Sequence, residues 1–243
     1  MSHIKEGVKL INSEKEMKIV KKPNAKDYAY VEIKQRIIEG VLLPDQQVSE
    51  EELCSKLDIS RTPLRGALER LELEKLVVRQ VNGRMKIAPI SVKEVKEIFK
   101  VRSVLEGLAV SQATENVTEK DIKHLSELVK KIRENLEDNN VEQILHFGNE
   151  FHSHIYNLAN NETVTDFLSQ LYDRIYRYRR LVPNDSRERL IREEEEHQKI
   201  LNCIIRGDKR AAELAMKEHI QNSLETAIKA IEIYEQRQKD FMW

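Results

Sequence analysis

Apolar residues recur at helical spacing along most of the chain. In the first third, three such stretches are separated by short turns, and the third stretch carries Leu64, Leu68 and Leu71 on one face. The same spacing continues from Ser91 onward. Short breaks interrupt it near Asn116, Asn139, Asn160, Pro183 and Gly207. The pattern predicts a mainly α-helical chain with roughly six helices in its second part.

One short segment departs from the helical spacing. Val77 and Val78 precede an Asn82-Gly83 pair, and β-prone residues beginning at Met85 follow it. An Asn-Gly pair between such residues favours a hairpin, because both residues tolerate the positive φ angles that a tight turn needs. The third helix is therefore predicted to lead into a two-stranded hairpin.

The pattern divides the chain into three parts. Residues 1–25, which are rich in Lys and Glu, are predicted to form an N-terminal arm. Residues 26–90 contain the three helices and the hairpin, and residues 91–243 form the all-helical part. The predicted fold class is therefore mainly α, with a small helix-and-hairpin domain followed by a larger helical bundle.

The composition agrees with a helix-rich globular protein. Of the 243 residues, 40% are hydrophobic and 34% are charged, and only 7 are glycine. The two cysteines, Cys54 and Cys203, lie in different predicted helices and are interpreted as free thiols. The chain shows neither a signal-peptide pattern nor an apolar run of the roughly 18 residues that a membrane span requires. A cytoplasmic location and no membrane partner are expected.

Charge is distributed unevenly along the chain. Residues 1–90 contain 17 Lys and Arg against 14 Asp and Glu, a net charge of +3, whereas the whole chain has −1. Arg61 and Arg65 lie in the first turns of the third helix, where the helix dipole disfavours positive charge. They are either ordinary surface residues or ligands for an external anion such as DNA phosphate.

The surroundings of these arginines favour DNA. A helix that begins after Ser49 and a tight turn precede the third helix, which is the order of a helix-turn-helix. Thr62 adds a hydroxyl to the start of the third helix. The guanidinium groups of Arg61 and Arg65 match the hydrogen-bonding edges of guanine bases in a major groove. Gly83 and Arg84 lie at the hairpin tip, where a wing can reach the DNA backbone or the minor groove.

The first domain also resembles a known family. The segments PDQQVSEEEL and ISRTPLRGALERLE, followed by LVV and NG, are similar to the winged helix-turn-helix domain of GntR-type bacterial transcription factors. The resemblance covers about residues 26–90. It implies that Arg61, Thr62, Arg65 and Gly83 contact operator DNA.

Three histidines lie near the middle of three different predicted helices. They are His152, His197 and His219. If these helices pack with the histidines facing inward, the three imidazoles form a transition-metal site with open coordination positions. The alternative is that each histidine has a separate core or surface role, and spacing alone does not decide between the two.

The helical part resembles the FCD-type ligand-binding domain of the FadR subfamily over about residues 93–225. The resemblance is carried by EIFKVRSVLEGLAVSQAT, EFHSHIYNLANN and HQKILNCIIRGDKRAAELAMKEHI. It implies a divalent metal bound by the three histidines, with zinc expected and nickel or manganese as alternatives. Metal-binding members carry Asp or Asn one turn before the first of these histidines. This chain has Gly148 there, and Asn149 is the candidate substitute.

The resemblance also implies a place for an effector. Arg102 and Glu106 are one helical turn apart. They form either a surface ion pair worth about 0.2–0.5 kcal/mol or part of a cavity in which Arg102 meets a carboxylate ligand. Tyr156, one turn after His152, and Asn149 are expected to line the same cavity. A small carboxylate metabolite is therefore the expected effector.

Three functional hypotheses remain. The first is a homodimeric, sequence-specific transcriptional regulator, acting as a repressor, whose binding to double-stranded operator DNA is controlled by the carboxylate at the metal. The second is a metal-dependent hydrolase that uses the three histidines, although the chain has no HExxH-like motif. The third is a DNA-binding module joined to a metal-free structural bundle. The first hypothesis explains both groups of residues and is preferred over an enzyme.

Overall fold

The computed structural model describes residues 24–180 and 187–240. Residues 1–23, and with them nearly all of the predicted arm, lie outside the described part of the chain. Within that part, the predicted mainly α fold is confirmed, because three helices and a two-stranded hairpin are followed by six further helices. None of the helices described is long and apolar enough to cross a bilayer.

The first domain consists of three helices and the hairpin. The helices are α1 (Ala25–Ile38), α2 (Glu50–Leu57) and α3 (Arg61–Leu73), and the strands are β1 (Val77–Arg79) and β2 (Met85–Ile87). The strands are antiparallel, with Val78 opposite Lys86. Ile33, Leu64 and Leu68 are fully buried in a core to which every element of the domain contributes. The apolar face that the spacing predicts for α3 is therefore the face that the domain buries.

The second domain is a bundle of six helices. They are α4 (Val92–Asn116), α5 (Glu119–Glu137), α6 (Val141–Ala159), α7 (Glu162–Arg180), α8 (Arg187–Ile205) and α9 (Lys209–Asp240). The long helix α4 packs against four other helices of the bundle, α6, α7, α8 and α9. Phe99, Phe151 and Met216 are buried in the largest core cluster, which joins α4, α6 and α9.

Asparagine and glycine residues explain why helices end at several of the predicted breaks. Asn139 and Asn160 adopt left-handed φ angles of 52° and 51° at the ends of α5 and α6. The side chains of Asn140 and Asn161 then accept hydrogen bonds from the first turns of α6 and α7. Gly207, with a φ angle of 67°, follows the end of α8.

Helix α7 contacts the first domain directly. Lys34 on α1 lies 2.5 Å from a carboxylate oxygen of Asp173 on α7. One turn further along α7, the guanidinium of Arg177 donates to the backbone carbonyl of Ala88, in the linker between β2 and α4. Arg177 and Ala88 are both buried, so this second contact belongs to the interior of the protein. The two domains are therefore joined by α7 as well as by the linker.

Candidate functional site

The N-terminus of α3 is exposed and carries no counter-charge of its own. Arg61, Thr62 and Arg65 are all exposed. Ser60 precedes the helix, but its side chain makes no capping hydrogen bond, and the first turn contains no acidic residue. Helix α2, in contrast, has the capping side chain of Ser49 and acidic residues in its first turn. Because backbone N–H groups and guanidiniums are available together, this end of α3 is suited to phosphate.

One of the two arginines has a partner within the protein. Nε of Arg65 lies 3.0 Å from a carboxylate oxygen of Glu50, the first residue of α2. The pair is solvent-exposed and contributes at most about 1 kcal/mol, so a phosphate displaces Glu50 easily. On the wing, Gly83 has a φ angle of 80°, where a side chain would be strained, and Arg84 is exposed beside it. All five predicted DNA-contacting residues therefore lie on the surface of the first domain.

The three predicted metal-binding histidines meet inside the helical bundle. Nε2 of His152 on α6 lies 3.3 Å from Nε2 of His197 on α8 and 3.2 Å from Nε2 of His219 on α9. All three side chains are buried, and their ligand atoms lie within 4.8 Å of one another. The structure therefore brings together the imidazoles whose relation the spacing leaves undecided.

A hydrogen bond on the opposite ring nitrogen fixes the orientation of each imidazole. Nδ1 of His152 lies 2.6 Å from a carboxylate oxygen of Glu106, and Nδ1 of His219 lies 2.8 Å from one of Glu196. The third histidine has its Nδ1 atom 2.7 Å from the backbone carbonyl of Glu193. Since a carbonyl and an ionised carboxylate oxygen only accept, Nδ1 carries the proton in His152 and His197, and in His219 while Glu196 is ionised. Each Nε2 then presents a lone pair to the centre.

Burial keeps the imidazoles of His197 and His219 neutral. It holds the pKa of His197 well below its ordinary value, with the neighbouring imidazoles adding to the effect, and it lowers the pKa of His219 to about 3. Burial also raises the pKa of Glu196 to about 7, so its accepting carboxylate form prevails above that pH. Burial opposes the charge of Glu106, but Arg102 and the adjacent imidazole outweigh it and lower the pKa of that carboxyl. His197 and His219 are thus in the neutral form that a metal ion requires.

This arrangement fits a divalent metal ion. Three lone pairs that face one another repel, and a cation between them replaces the repulsion with attraction. Zinc–nitrogen distances of about 2.0–2.1 Å in a tetrahedral site put neighbouring nitrogens roughly 3.3 Å apart, close to the 3.2 and 3.3 Å from Nε2 of His152 to the Nε2 atoms of its two neighbours. His152, His197 and His219 would hold the ion, and Glu106 and Glu196 would orient two of them.

Gly148 occupies the place beside the histidines where the resembled pattern has a further ligand. A Cβ atom on this glycine would lie 3.8 Å from Cε1 of His197 and 3.9 Å from its Nε2. These are ordinary van der Waals distances, so a side chain fits here and would begin next to the cluster. The departure from the pattern therefore removes a ligand without filling its space. Asn149, the candidate substitute, lines the neighbouring cleft.

A cleft with about 390 Å³ of unoccupied space, part of it open to solvent, lies beside His152. Arg102 and Glu106 both line it and are 4% and 0% exposed, so their ion pair is buried and the surface-pair interpretation is wrong. Nη1 of Arg102 is buried and has no hydrogen-bond partner among the residues that the structure describes. Such a nitrogen costs free energy unless a ligand accepts from it. Asn149 and Tyr156, the other two residues expected to contact an effector, line the same cleft.

Several side chains of this site carry no sequence motif. Glu196 belongs to a run of four glutamates whose separate roles no pattern distinguishes, and Glu193 of the same run contributes its backbone carbonyl. Helix α7 forms one wall of the cleft. Its lining residues are Leu168, Tyr172, Ile175 and Tyr176. Only the tertiary packing of α7 identifies them, because their side chains are ordinary for an amphipathic helix.

The fold and the site define a class of protein. A winged helix-turn-helix with exposed cations on its third helix is joined to a helical bundle with an internal cleft, the architecture of a transcriptional regulator with a small-molecule effector. Comparison with protein families agrees. Residues 25–87 match the family described as bacterial regulatory proteins, gntR family, and residues 97–222 match the FCD domain. The chain belongs to the GntR family of transcriptional regulators, carries an FCD domain and is not an enzyme.

Individual relatives agree with this assignment. The chain is 28% identical over 202 residues to the HTH-type transcriptional regulator YdhC of Bacillus subtilis (strain 168), covering 81% of this chain and 88% of YdhC. It is 26% identical over 198 residues to the HTH-type transcriptional regulator McbR of Escherichia coli (strain K12), covering 79% and 88%. The solved structure of E. coli McbR/YncC has a TM-score of 0.71 at 23% identity, covers 85% of this chain and 98% of that one, and supports the fold. The metal-free FCD domain of TM0439 has a TM-score of 0.52 at 23% identity, over 60% of this chain and 100% of that one.

Proposed function

We propose that this regulator is a homodimeric repressor whose binding to operator DNA is controlled by a small carboxylate metabolite, held at a divalent metal ion in the FCD domain. Zinc is the proposed metal, with nickel and manganese as alternatives. The observation that carries the proposal is the buried Nη1 atom of Arg102, which lacks a partner in the described residues and lies in a cleft shared with His152. The repressor direction rests on the family resemblance alone.

The DNA-binding half of the proposal rests on the exposed end of α3. Its backbone N–H groups and the side chains of Arg61, Thr62 and Arg65 are donors that match phosphate oxygens and guanine edges. Gly83 and Arg84 at the wing tip would contact the same duplex. In the free protein the helix dipole disfavours the two arginines, and bound phosphate removes this penalty.

The ligand-binding half rests on the histidine cluster and the cleft. Three imidazole ligands leave coordination positions on a metal ion open, and a carboxylate oxygen is a suitable ligand for one of them. The guanidinium of Arg102 has a buried N–H group available for the same carboxylate. Asn149 and Tyr156, which line the cleft from α6, would contact the rest of the ligand near this point.

Helix α4 carries an exposed apolar stripe that supports the proposed homodimer. Val101, Val104 and Leu108 are 51%, 63% and 42% exposed, and their spacing places them on one face of the helix. A second copy of the chain that packs on this stripe would bury it. The same two-fold arrangement would present two copies of α3 to one duplex, as an inverted-repeat operator requires.

The double substitution Val104→Glu and Leu108→Glu is expected to convert the dimer to a monomer. Carboxylates that face their symmetry mates in an interface repel and lose water, at a cost of roughly 2–5 kcal/mol. Sedimentation equilibrium should then give the 28.5 kDa of one chain instead of twice that mass. Leu214→Glu, at an exposed residue of α9, is the matched control and should leave the dimer intact.

Enrichment from a random duplex pool tests the function itself. The full chain, loaded with Zn²⁺, should select an inverted repeat, and the double variant should lose affinity for the paired half-sites. If no sequence is enriched even at low salt, the chain is not the regulator proposed here. A parent protein that sediments as a single chain would contradict the dimer.

The metal-dependent hydrolase hypothesis is set aside. Family membership assigns the chain to regulators. The chemistry of the site agrees, because the Glu106 carboxylate is already engaged by Arg102 and His152. Both of its oxygens already accept a hydrogen bond, which disfavours a role as a general base toward a water molecule.

A further inference from the structure

The cleft beside the histidine cluster is lined by two chemically different sets of residues, which we call its polar end and its α7 wall. At the polar end, α4 and α6 supply charged and polar side chains. They are Arg102, Glu106, Asn149, His152 and Ser153. Residues of α7 form the wall. The proposed carboxylate needs only the polar end, so the remainder of the effector must suit the wall formed by α7.

The wall formed by α7 is a single apolar and aromatic face. Its lining residues are Leu168, Tyr172, Ile175 and Tyr176, and none of them carries a charge. Successive intervals of four, three and one residues place them on one side of the helix. Leu168 and Ile175 are buried, and Tyr156 of α6 adds a third tyrosine ring to the cleft lining.

The charged residues of α7 in this region face other parts of the protein. Asp173 pairs with Lys34 of α1, and Arg174 pairs with Glu94 of α4. Arg177 donates to the backbone of the interdomain linker. Helix α7 therefore has charged groups close to the cleft in sequence but directs them to contacts within the protein, so a charged ligand group would find no ionic partner on this wall.

We propose that the effector is a carboxylic acid with an apolar or aromatic tail, which lies along the α7 face while its carboxylate is held at the polar end. This inference rests on the proposed function and adds to it the chemical class of the tail. A phenyl ring or a short branched chain is a tail of this kind, because it can pack against Leu168 and Ile175. Polyhydroxylated and multiply charged acids are disfavoured, because groups that pack on Leu168 and Ile175 lose hydrogen bonds to water and find no replacement on those two side chains.

A panel of 2-hydroxy acids, titrated calorimetrically into the full-length Zn²⁺-loaded protein, tests the inference. Lactate carries the common headgroup with a methyl group, 3-phenyllactate and 2-hydroxy-4-methylpentanoate add apolar tails, and gluconate adds a polar one. We expect both apolar-tailed acids to bind at least about tenfold more tightly than lactate, because each buries additional apolar surface. Gluconate should bind no more tightly than lactate.

A substitution on the α7 face separates the tail contact from the headgroup contact. Ile175→Thr shortens the side chain and introduces a hydroxyl, so it should reduce the preference for the apolar tails at least about threefold. The affinity for lactate should stay unchanged. Leu171→Thr, on the same helix but outside the cleft lining, is the matched control and should keep the preference of the parent.

The outcomes separate this inference from the proposed function. If gluconate or citrate binds more tightly than both apolar-tailed acids, the tail assignment is overturned and the carboxylate site remains. If no acid binds at millimolar concentration, both the tail assignment and the proposed carboxylate site are contradicted. A preference that is unchanged in folded Ile175→Thr would overturn the placement of the tail on α7. If that variant does not fold, the panel on the parent protein still decides whether the tail is apolar.

Discussion

The substitution His152→Ala is expected to weaken zinc binding more than about 100-fold. It removes one of three imidazole ligands. Loss of a residue that only hydrogen-bonds to a metal ligand already weakens metal binding roughly 10- to 100-fold. His154→Ala, two residues further along α6, is the matched control. His154 contacts Asp121 and His124 instead of the cluster, so this variant should bind zinc like the parent. Competition against a chelating indicator measures both dissociation constants.

Gly148 offers the converse change. Gly148→Asp introduces a carboxylate beside His197, where a Cβ atom has room, and should tighten zinc binding at least about tenfold. Gly148→Ala adds the same Cβ atom without a ligand and should leave the affinity unchanged. Equal zinc affinities for His152→Ala and His154→Ala, with both variants folded by circular dichroism, would contradict the metal site.

Arg65→Ala is expected to weaken binding to the enriched duplex roughly 5- to 150-fold at physiological salt, and Arg61→Ala should act similarly. A guanidinium that contacts a guanine edge contributes about 1–3 kcal/mol. Within the protein, Arg65→Ala removes only the exposed ion pair with Glu50, so the melting temperature of the variant should differ little from that of the parent. Fluorescence anisotropy over a salt series measures the affinity. If the lost contact is to a phosphate and not to a base, the slope of the logarithm of affinity against the logarithm of salt concentration should fall in magnitude by about one.

Arg36→Ala is the control for this pair of variants. It removes the same charge from the same domain, but Arg36 lies on α1 and pairs with Glu32 of its own helix. We expect it to weaken duplex binding much less than either substitution at the start of α3. If Arg61→Ala and Arg65→Ala bind the duplex as well as Arg36→Ala does, α3 is not the recognition helix.

The sequence predicts the fold well where local chemistry determines the backbone. Helical spacing identifies the buried face of α3 because Leu64 and Leu68 are also the residues that the domain core needs. The breaks at Asn139 and Asn160 are predictable because asparagine tolerates the left-handed conformation that ends a helix. The hairpin is predictable because Gly83 readily adopts the positive φ angle that its tight turn requires.

The site is only partly predictable, because its geometry depends on packing between distant segments. The three histidines can be identified on their helices, but their convergence requires the rotation of each helix that core residues such as Phe151 set. The Phe151 ring lies 5.0 Å from the ring of His197, centroid to centroid. The role of the Glu193 carbonyl depends on this rotation as well, since every residue of a helix has a carbonyl and only tertiary structure brings this one to an imidazole.

Helix α7 connects the cleft with the DNA-binding domain. Tyr172 and Ile175 line the cleft, whereas Asp173 and Arg177 hold α1 and the interdomain linker. A ligand that packs on one side of α7 can therefore favour one placement of the DNA-binding domain over another. It does so only to the extent that it binds the two placements with different affinity.

The most direct measurement combines the two binding events. The dissociation constant of the enriched duplex is determined by anisotropy for the Zn²⁺-loaded parent and for His152→Ala, each with and without the tightest-binding acid of the panel. We expect the acid to weaken duplex binding of the parent at least about tenfold, a coupling of about 1.4 kcal/mol, and to have no effect on His152→Ala. If the acid saturates the parent and its duplex dissociation constant does not change, the cleft does not control DNA binding.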